Sequence, residues 1–158
     1  LLDVVRHAVK TIAMTLGNRD RLAVITFSDT AKTEIGLTVM HKSGQETVIK
    51  TVDRLMPTGS TNLWDGLHQG LKLLKAANSN RRHVLCLLTD GMPNISPPRG
   101  EIAMLQRYRD EHQLDCTIST FGFGYSLNSE LLAGLAIEGN GAYAFIPDAS
   151  FVGTVFIH

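Results

Sequence analysis

Two segments of this 158-residue sequence carry the side chains best placed to do chemistry. Gly59-Ser60-Thr61-Asn62 precedes a stretch in which Leu63, Leu67, Leu71 and Leu74 recur at helical spacing, with Asn62 and Asp65 supplying helix-start chemistry. Leu87-Leu88-Thr89-Asp90-Gly91 closes an apolar, β-prone run that starts at His83. A helix of about fourteen residues is about 21 Å long, and a strand of about six returns about 20 Å in the opposite direction. The start of the helix near Thr61 and the end of the strand at Asp90 are therefore expected on one edge. A hydroxyl and a carboxylate side by side are hard oxygen donors, the ligand type that Mg²⁺ or Mn²⁺ prefers. Each residue also has a plain structural reading: Thr61 as a helix cap, and Asp90 as a turn former ahead of Gly91-Met92-Pro93-Asn94.

Catalytic arrangements fail on spacing. Ser126 lacks the flanking glycines of a nucleophile elbow, and Leu127 stands where a dinucleotide fingerprint starting at Gly122-Phe123-Gly124 would need its third glycine. A Walker-type phosphate loop is absent, and the histidines at 7, 41, 68, 83, 112 and 158 have no partner at metal-ligand spacing. The reading is a binding domain and not an enzyme, with a structural interaction domain that binds its partners without metal as the alternative. Trp64 is expected to pack beneath its helix, with an exposed interface anchor as the other reading. Arg81-Arg82-His83 is expected to form a solvated cap on the edge opposite Thr61 and Asp90.

The elements that must position these groups alternate. Apolar residues from Leu2 to Leu16 at helical spacing predict an opening helix ended by a glycine cap at Gly17. Residues 22–27 form a continuous apolar run, expected to be a strand covered on both faces, and residues 33–37 an edge strand joined to it by a hairpin. Further helices are expected over residues 44–55, 101–112 and 128–138, and strands over 83–88, 116–123 and 142–146. Helices alternating with buried strands indicate an α/β domain, a mostly parallel, doubly wound sheet with helices on both faces.

Fifteen Lys and Arg balance fifteen Asp and Glu, so no overall charge draws a nucleic acid, and no apolar run is long enough to span a bilayer. Cys86 and Cys116 both sit in apolar runs and are expected as buried, reduced thiols, which favours a cytoplasmic setting.

Taken in order, Arg21-Leu22-Ala23-Val24-Ile25-Thr26-Phe27-Ser28, Gly59-Ser60-Thr61-Asn62-Leu63-Trp64-Asp65-Gly66-Leu67, Leu87-Leu88-Thr89-Asp90-Gly91-Met92-Pro93-Asn94 and Phe121-Gly122-Phe123-Gly124-Tyr125 make the chain resemble the von Willebrand factor type A domain. The resemblance covers nearly the whole sequence. It implies a Rossmann-like sheet with one antiparallel edge strand and a metal-ion-dependent adhesion site, where Mg²⁺ or Mn²⁺ completes its shell with an acidic group of a partner protein. By position, Thr61 and Asp90 are the metal ligands. The family's other ligands come from an Asp-x-Ser-x-Ser loop after a first, central strand that lies between those at residues 22–27 and 84–88, and residues 1–158 hold neither. They are expected to form one domain lacking that strand, that loop and part of the last helix. Mg²⁺ takes about six oxygens in near-octahedral geometry, so binding by Thr61 and Asp90 alone is expected to be weak or absent. Five apolar side chains of such a strand would contribute on the order of 10 kcal/mol, against about 5–15 kcal/mol for a whole domain, so this chain alone is expected to be unstable or rearranged. The second half is similar to type A domains of intracellular eukaryotic proteins, some of which also carry a U-box.

Overall fold

Helix and strand alternate through most of the chain, and the computed structural model describes residues 2–77 and 79–156. Leu1, expected in the opening helix, and His158 lie outside them. The elements run α1 (Leu2–Thr15), β1 (Arg21–Phe27), β2 (Ala31–Val39), α2 (Lys42–Asp53), α3 (Leu63–Ala77), β3 (Val84–Thr89), α4 (Glu101–His112), β4 (Thr117–Phe123), α5 (Ser129–Glu138) and β5 (Asn140–Ile146), then a 3₁₀ turn (Ala149–Phe151) and α6 (Val152–Phe156). β1 and β2 form an antiparallel hairpin, with Arg21 opposite Val39 and Phe27 opposite Ala31. β3, β4 and β5 are parallel with β4 in the middle, Leu85 facing Ile118 and Phe123 facing Ile146. Helices α3, α4 and α5 pack on one face, where Leu67, Leu71, Leu105, Ile118, Leu132 and Leu135 form the largest core cluster. On the other face α1 and α2 cover β1 and β2, and α1 and α6 close over Phe123 and Ile146.

The strands fall into two hydrogen-bonded sets, β1-β2 and β3-β4-β5, and the division lies between β1 and β3. Residues 22–27 are expected from the sequence to be a strand covered on both faces and residues 83–88 a buried strand, and the expected burial is corrected. Only Val24 of β1, and only Leu87 and Thr89 of β3, are buried. The reason is lateral: among the described residues each pairs with one neighbour only, so its side chains keep access to solvent along an open edge. Cys86, expected to be buried, is exposed on β3, although close packing around it pushes its thiol up to about 11. Cys116 is buried as expected, and burial likewise raises its thiol to about 11. Neither is in a disulfide.

Helix α3 bridges the division. A Cβ built on Gly70 would stand 2.7 Å from Leu85 Cδ1 and 3.9 Å from Ile25 Cδ1, so this helix position touches both sets of strands. One turn earlier, a Cβ on Gly66 would meet Phe27 Cδ1 at 2.5 Å. Glycine at both places lets the helix lie close to the strands without a side chain between.

Element ends differ from the sequence reading where local hydrogen bonds decide them. Helix α1 ends without a left-handed glycine: the Gly17 N–H is taken by Asp20 Oδ2 at 2.9 Å. Left-handed residues instead close α4, at Gln113 (φ 51°), and open β5, at Asn140 (φ 56°). β5 begins at Asn140, two residues before the expected start at residue 142.

Candidate metal centre

The start of α3 is tied to the rest of the molecule on two sides. Asn62 Oδ1 accepts the Asp65 N–H at 3.1 Å, so Asn62 and not Thr61 caps the helix. The Asn62 N–H reaches Ser28 O at 2.8 Å, its side-chain amide reaches Asp29 O at 3.0 Å, and Asp65 Oδ2 accepts the Ala31 N–H at 2.5 Å. The turn between β1 and β2 is thereby docked on the helix start. From the other side comes the loop that follows β3. Asn94 and Ile95 donate backbone N–H groups to Thr61 O at 3.1 and 3.4 Å, and the Thr61 N–H donates to Asn94 Oδ1 at 2.9 Å. Ser96 Oγ donates to Glu101 Oε2 at 2.9 Å, which closes this loop onto the start of α4.

These bonds place Thr61 beside the end of β3. A Cβ on Gly91 would lie 3.8 Å from Thr61 Oγ1, so the threonine hydroxyl stands close to the residue that follows Asp90. Asp90 is exposed at the strand end. Among the described residues, neither the Thr61 hydroxyl nor the Asp90 carboxylate takes part in a hydrogen bond or an ion pair. The structure sets Thr61 close to the residue that follows Asp90, and it removes the capping role for Thr61.

Two hard oxygen donors on one rim suit a divalent cation of the Mg²⁺ type, but they supply a minority of the about six oxygens it takes. Among the described residues no three His, Cys, Asp or Glu side chains gather to hold a metal. Asn94 is the functional residue whose role sequence reasoning missed: it stood in the quoted motif, yet only the folded loop shows its amide holding the Thr61 backbone. Trp64 is buried and stacks on His68 at 5.2 Å between ring centroids, which settles it as packing. His68 meets Tyr108 edge-on at 5.4 Å, and Tyr108 lies 4.2 Å from His112. Burial first, and Lys72 second, hold the His68 imidazole below its ordinary pKa, so this ladder between α3 and α4 favours the neutral ring.

Residues 2–156 match the family model of the von Willebrand factor type A domain. The chain belongs to that family. Type A domains are in general protein-interaction modules and not enzymes. Among relatives, the chain is 28% identical over 149 residues to the uncharacterized protein sll0103 of Synechocystis, covering 94% of this chain and 34% of that one. It is 26% identical over 150 residues to human inter-alpha-trypsin inhibitor heavy chain H3, covering 89% of this chain and 16% of that protein. The chain thus spans about a third or less of these relatives. Among solved structures, a von Willebrand factor type A protein from Catenulispora acidiphila superposes with a TM-score of 0.86 at 19% identity, over 98% of this chain and 36% of that one. Proximal thread matrix protein 1 from the mussel byssus, with a zinc-occupied MIDAS motif, superposes with a TM-score of 0.76 at 19% identity, over 99% of this chain and 41% of the other. At such identities these likenesses establish the type A fold. No described helix is long and apolar enough to cross a membrane.

Proposed function

We propose that this type A domain is a protein-interaction module in which Thr61 and Asp90 form part of a metal-ion-dependent adhesion site, holding Mg²⁺ or Mn²⁺ against an exposed acidic residue of a partner protein. One observation supports the reading: Thr61 Oγ1 lies close to Gly91, the residue after Asp90, and neither the hydroxyl nor the carboxylate has another partner among the described residues. The backbone around Thr61 is already fixed by Asn94 and by the turn at Ser28 and Asp29, so these donors need little reordering to receive an ion. The remaining oxygens would come from an Asp-x-Ser-x-Ser loop following a strand inserted between β1 and β3. The division of the strands at that place supports the reading.

Calorimetric titration tests it. Mg²⁺ and Mn²⁺ are expected to bind residues 1–158 weakly or not at all, and to bind at least about tenfold more tightly once that strand and loop are joined ahead of Leu1. Thr61→Ala and Asp90→Ala should each remove the gain, and EDTA should dissolve the partner complex of the extended protein. Micromolar Mg²⁺ binding to residues 1–158 would overturn the incomplete site, and a partner complex unchanged in EDTA would overturn metal-dependent adhesion.

A further inference from the structure

The edge opposite Thr61 and Asp90 collects cations that the adhesion reading leaves unused. The segment leading into β3 carries Arg81, Arg82 and His83, α3 contributes Lys75 near its end, and the segment after α4 contributes Gln113 and Asp115. Together they line a cleft of about 570 Å³. Arg81 Nη1 donates to Arg19 O at 2.6 Å, which draws the lead-in to β1, with Arg19 and Arg21, against the lead-in to β3. Lys75 Nζ donates to His112 O at 2.8 Å and so straps the far wall.

Three features distinguish this cleft from an ordinary solvated cap. Among the described residues, none of the five cations Arg19, Arg21, Lys75, Arg81 and Arg82 is in an ion pair, in a chain whose charges balance overall. Asp115 is the carboxylate that lines the cleft, set against Lys75, Arg81 and Arg82, and Asp20 nearby is occupied with the Gly17 N–H. Finally, His83, which lines the cleft, has its Nε2 buried and without a hydrogen-bond partner among the described residues. A cluster with several donors and a surplus of positive charge calls for an anion with several acceptor oxygens. Guanidinium groups match phosphate in pairs of parallel hydrogen bonds, and a lysine adds a point charge. The cleft is also far roomier than one phosphate requires, so it has space for a second phosphate or an organic group.

We propose that this pole binds a small phosphorylated anion, of the phosphate monoester or pyrophosphate class, independently of the cation rim. The test uses the whole 158-residue chain with three probes, inorganic phosphate, inorganic pyrophosphate and phenyl phosphate, titrated at low ionic strength by calorimetry and followed by amide shifts in NMR. Saturable binding is expected, with shifts at residues 79–83 and 113–117, and it should weaken as salt is added. Pyrophosphate binding best would point to a second phosphate, and phenyl phosphate binding best to an organic group. Arg82→Gln, which changes an exposed side chain outside any helix or strand, should weaken binding at least about tenfold. Asp90→Asn, at the opposite pole, should leave it unchanged. No saturable binding of any of the three probes, or equal binding by Arg82→Gln, would overturn the proposal.

Discussion

β3 and β4 are neighbours in one parallel sheet, yet the more apolar strand is the less buried. β3 reads Val-Leu-Cys-Leu-Leu-Thr and buries only Leu87 and Thr89, whereas β4 reads Thr-Ile-Ser-Thr-Phe-Gly-Phe and buries Ile118, Thr120, Gly122 and Phe123. The difference lies beside the strands. β4 has β3 on one side and β5 on the other, with α5 packed on it, while β3 has a hydrogen-bonded neighbour on one side only among the described residues. Even the polar Thr120 is fully buried in β4, because its hydroxyl donates to Leu132 O at 2.7 Å. Hydrophobic sequence thus makes a strand suitable for the interior, but neighbours on both edges put it there.

The comparison can be broken by mutation. Phe123→Ala in β4 is expected to destabilise the fold by about 3–5 kcal/mol, against less than about 0.5 kcal/mol for Val84→Ala on exposed β3. Urea unfolding would show this, and equal losses would mean that the open edge of β3 is covered in solution. The two thiols report on the same contrast without a mutation. Cys86 should react with a thiol reagent in the native protein about a hundredfold faster than Cys116, which needs an opening of the fold. Thiolate is the reactive form and both thiols are raised to about 11, so the Cys86 rate should climb about tenfold per pH unit from neutral pH towards that value. A rate that levelled off near pH 8 would contradict its crowded setting.

Smaller effects sharpen the picture at the division. Gly70→Ala would push a methyl group to 2.7 Å from Leu85 Cδ1, beneath both sets of strands, and is expected to cost about 1–3 kcal/mol. Gly17→Ala meets nothing within 4 Å and serves as the control in the same thermal or urea melts. If the two substitutions cost the same, α3 does not hold β1 and β3 together. The smallest change is expected at the end of α4, where the C-cap Gln113 adopts φ 51°: Gln113→Gly should relieve that conformation and raise stability by up to about 1 kcal/mol. A loss of stability there would show that the Gln113 side chain contributes more than its backbone costs.

Much of this protein could be read from the order of its residues. Helical spacing of leucines located α3, the run from Pro97 and Pro98 to His112 located α4 to the residue, and the Asn62 and Asp65 pair announced where α3 begins. These are local signals, since a helix face and a cap depend on residues three or four apart. The approach of Thr61 to the loop after β3 was also legible, because a helix and a returning strand of matched length leave their ends on one edge. What the sequence could not decide depends on which segments lie side by side across long separations. Residues 21–27 and 84–89 read as buried strands because apolar side chains define a preference and not a neighbour. The resemblance implies a strand absent between them, and the assembled sheet shows how far each stays exposed along that edge. The Asn94 bond to Thr61, the reach of Gly70 to both Ile25 and Leu85, and the gathering of Arg19, Arg81 and Lys75 at one pole likewise come from tertiary contact. Backbone hydrogen bonds and close packing form between surfaces that the order of residues does not by itself pair.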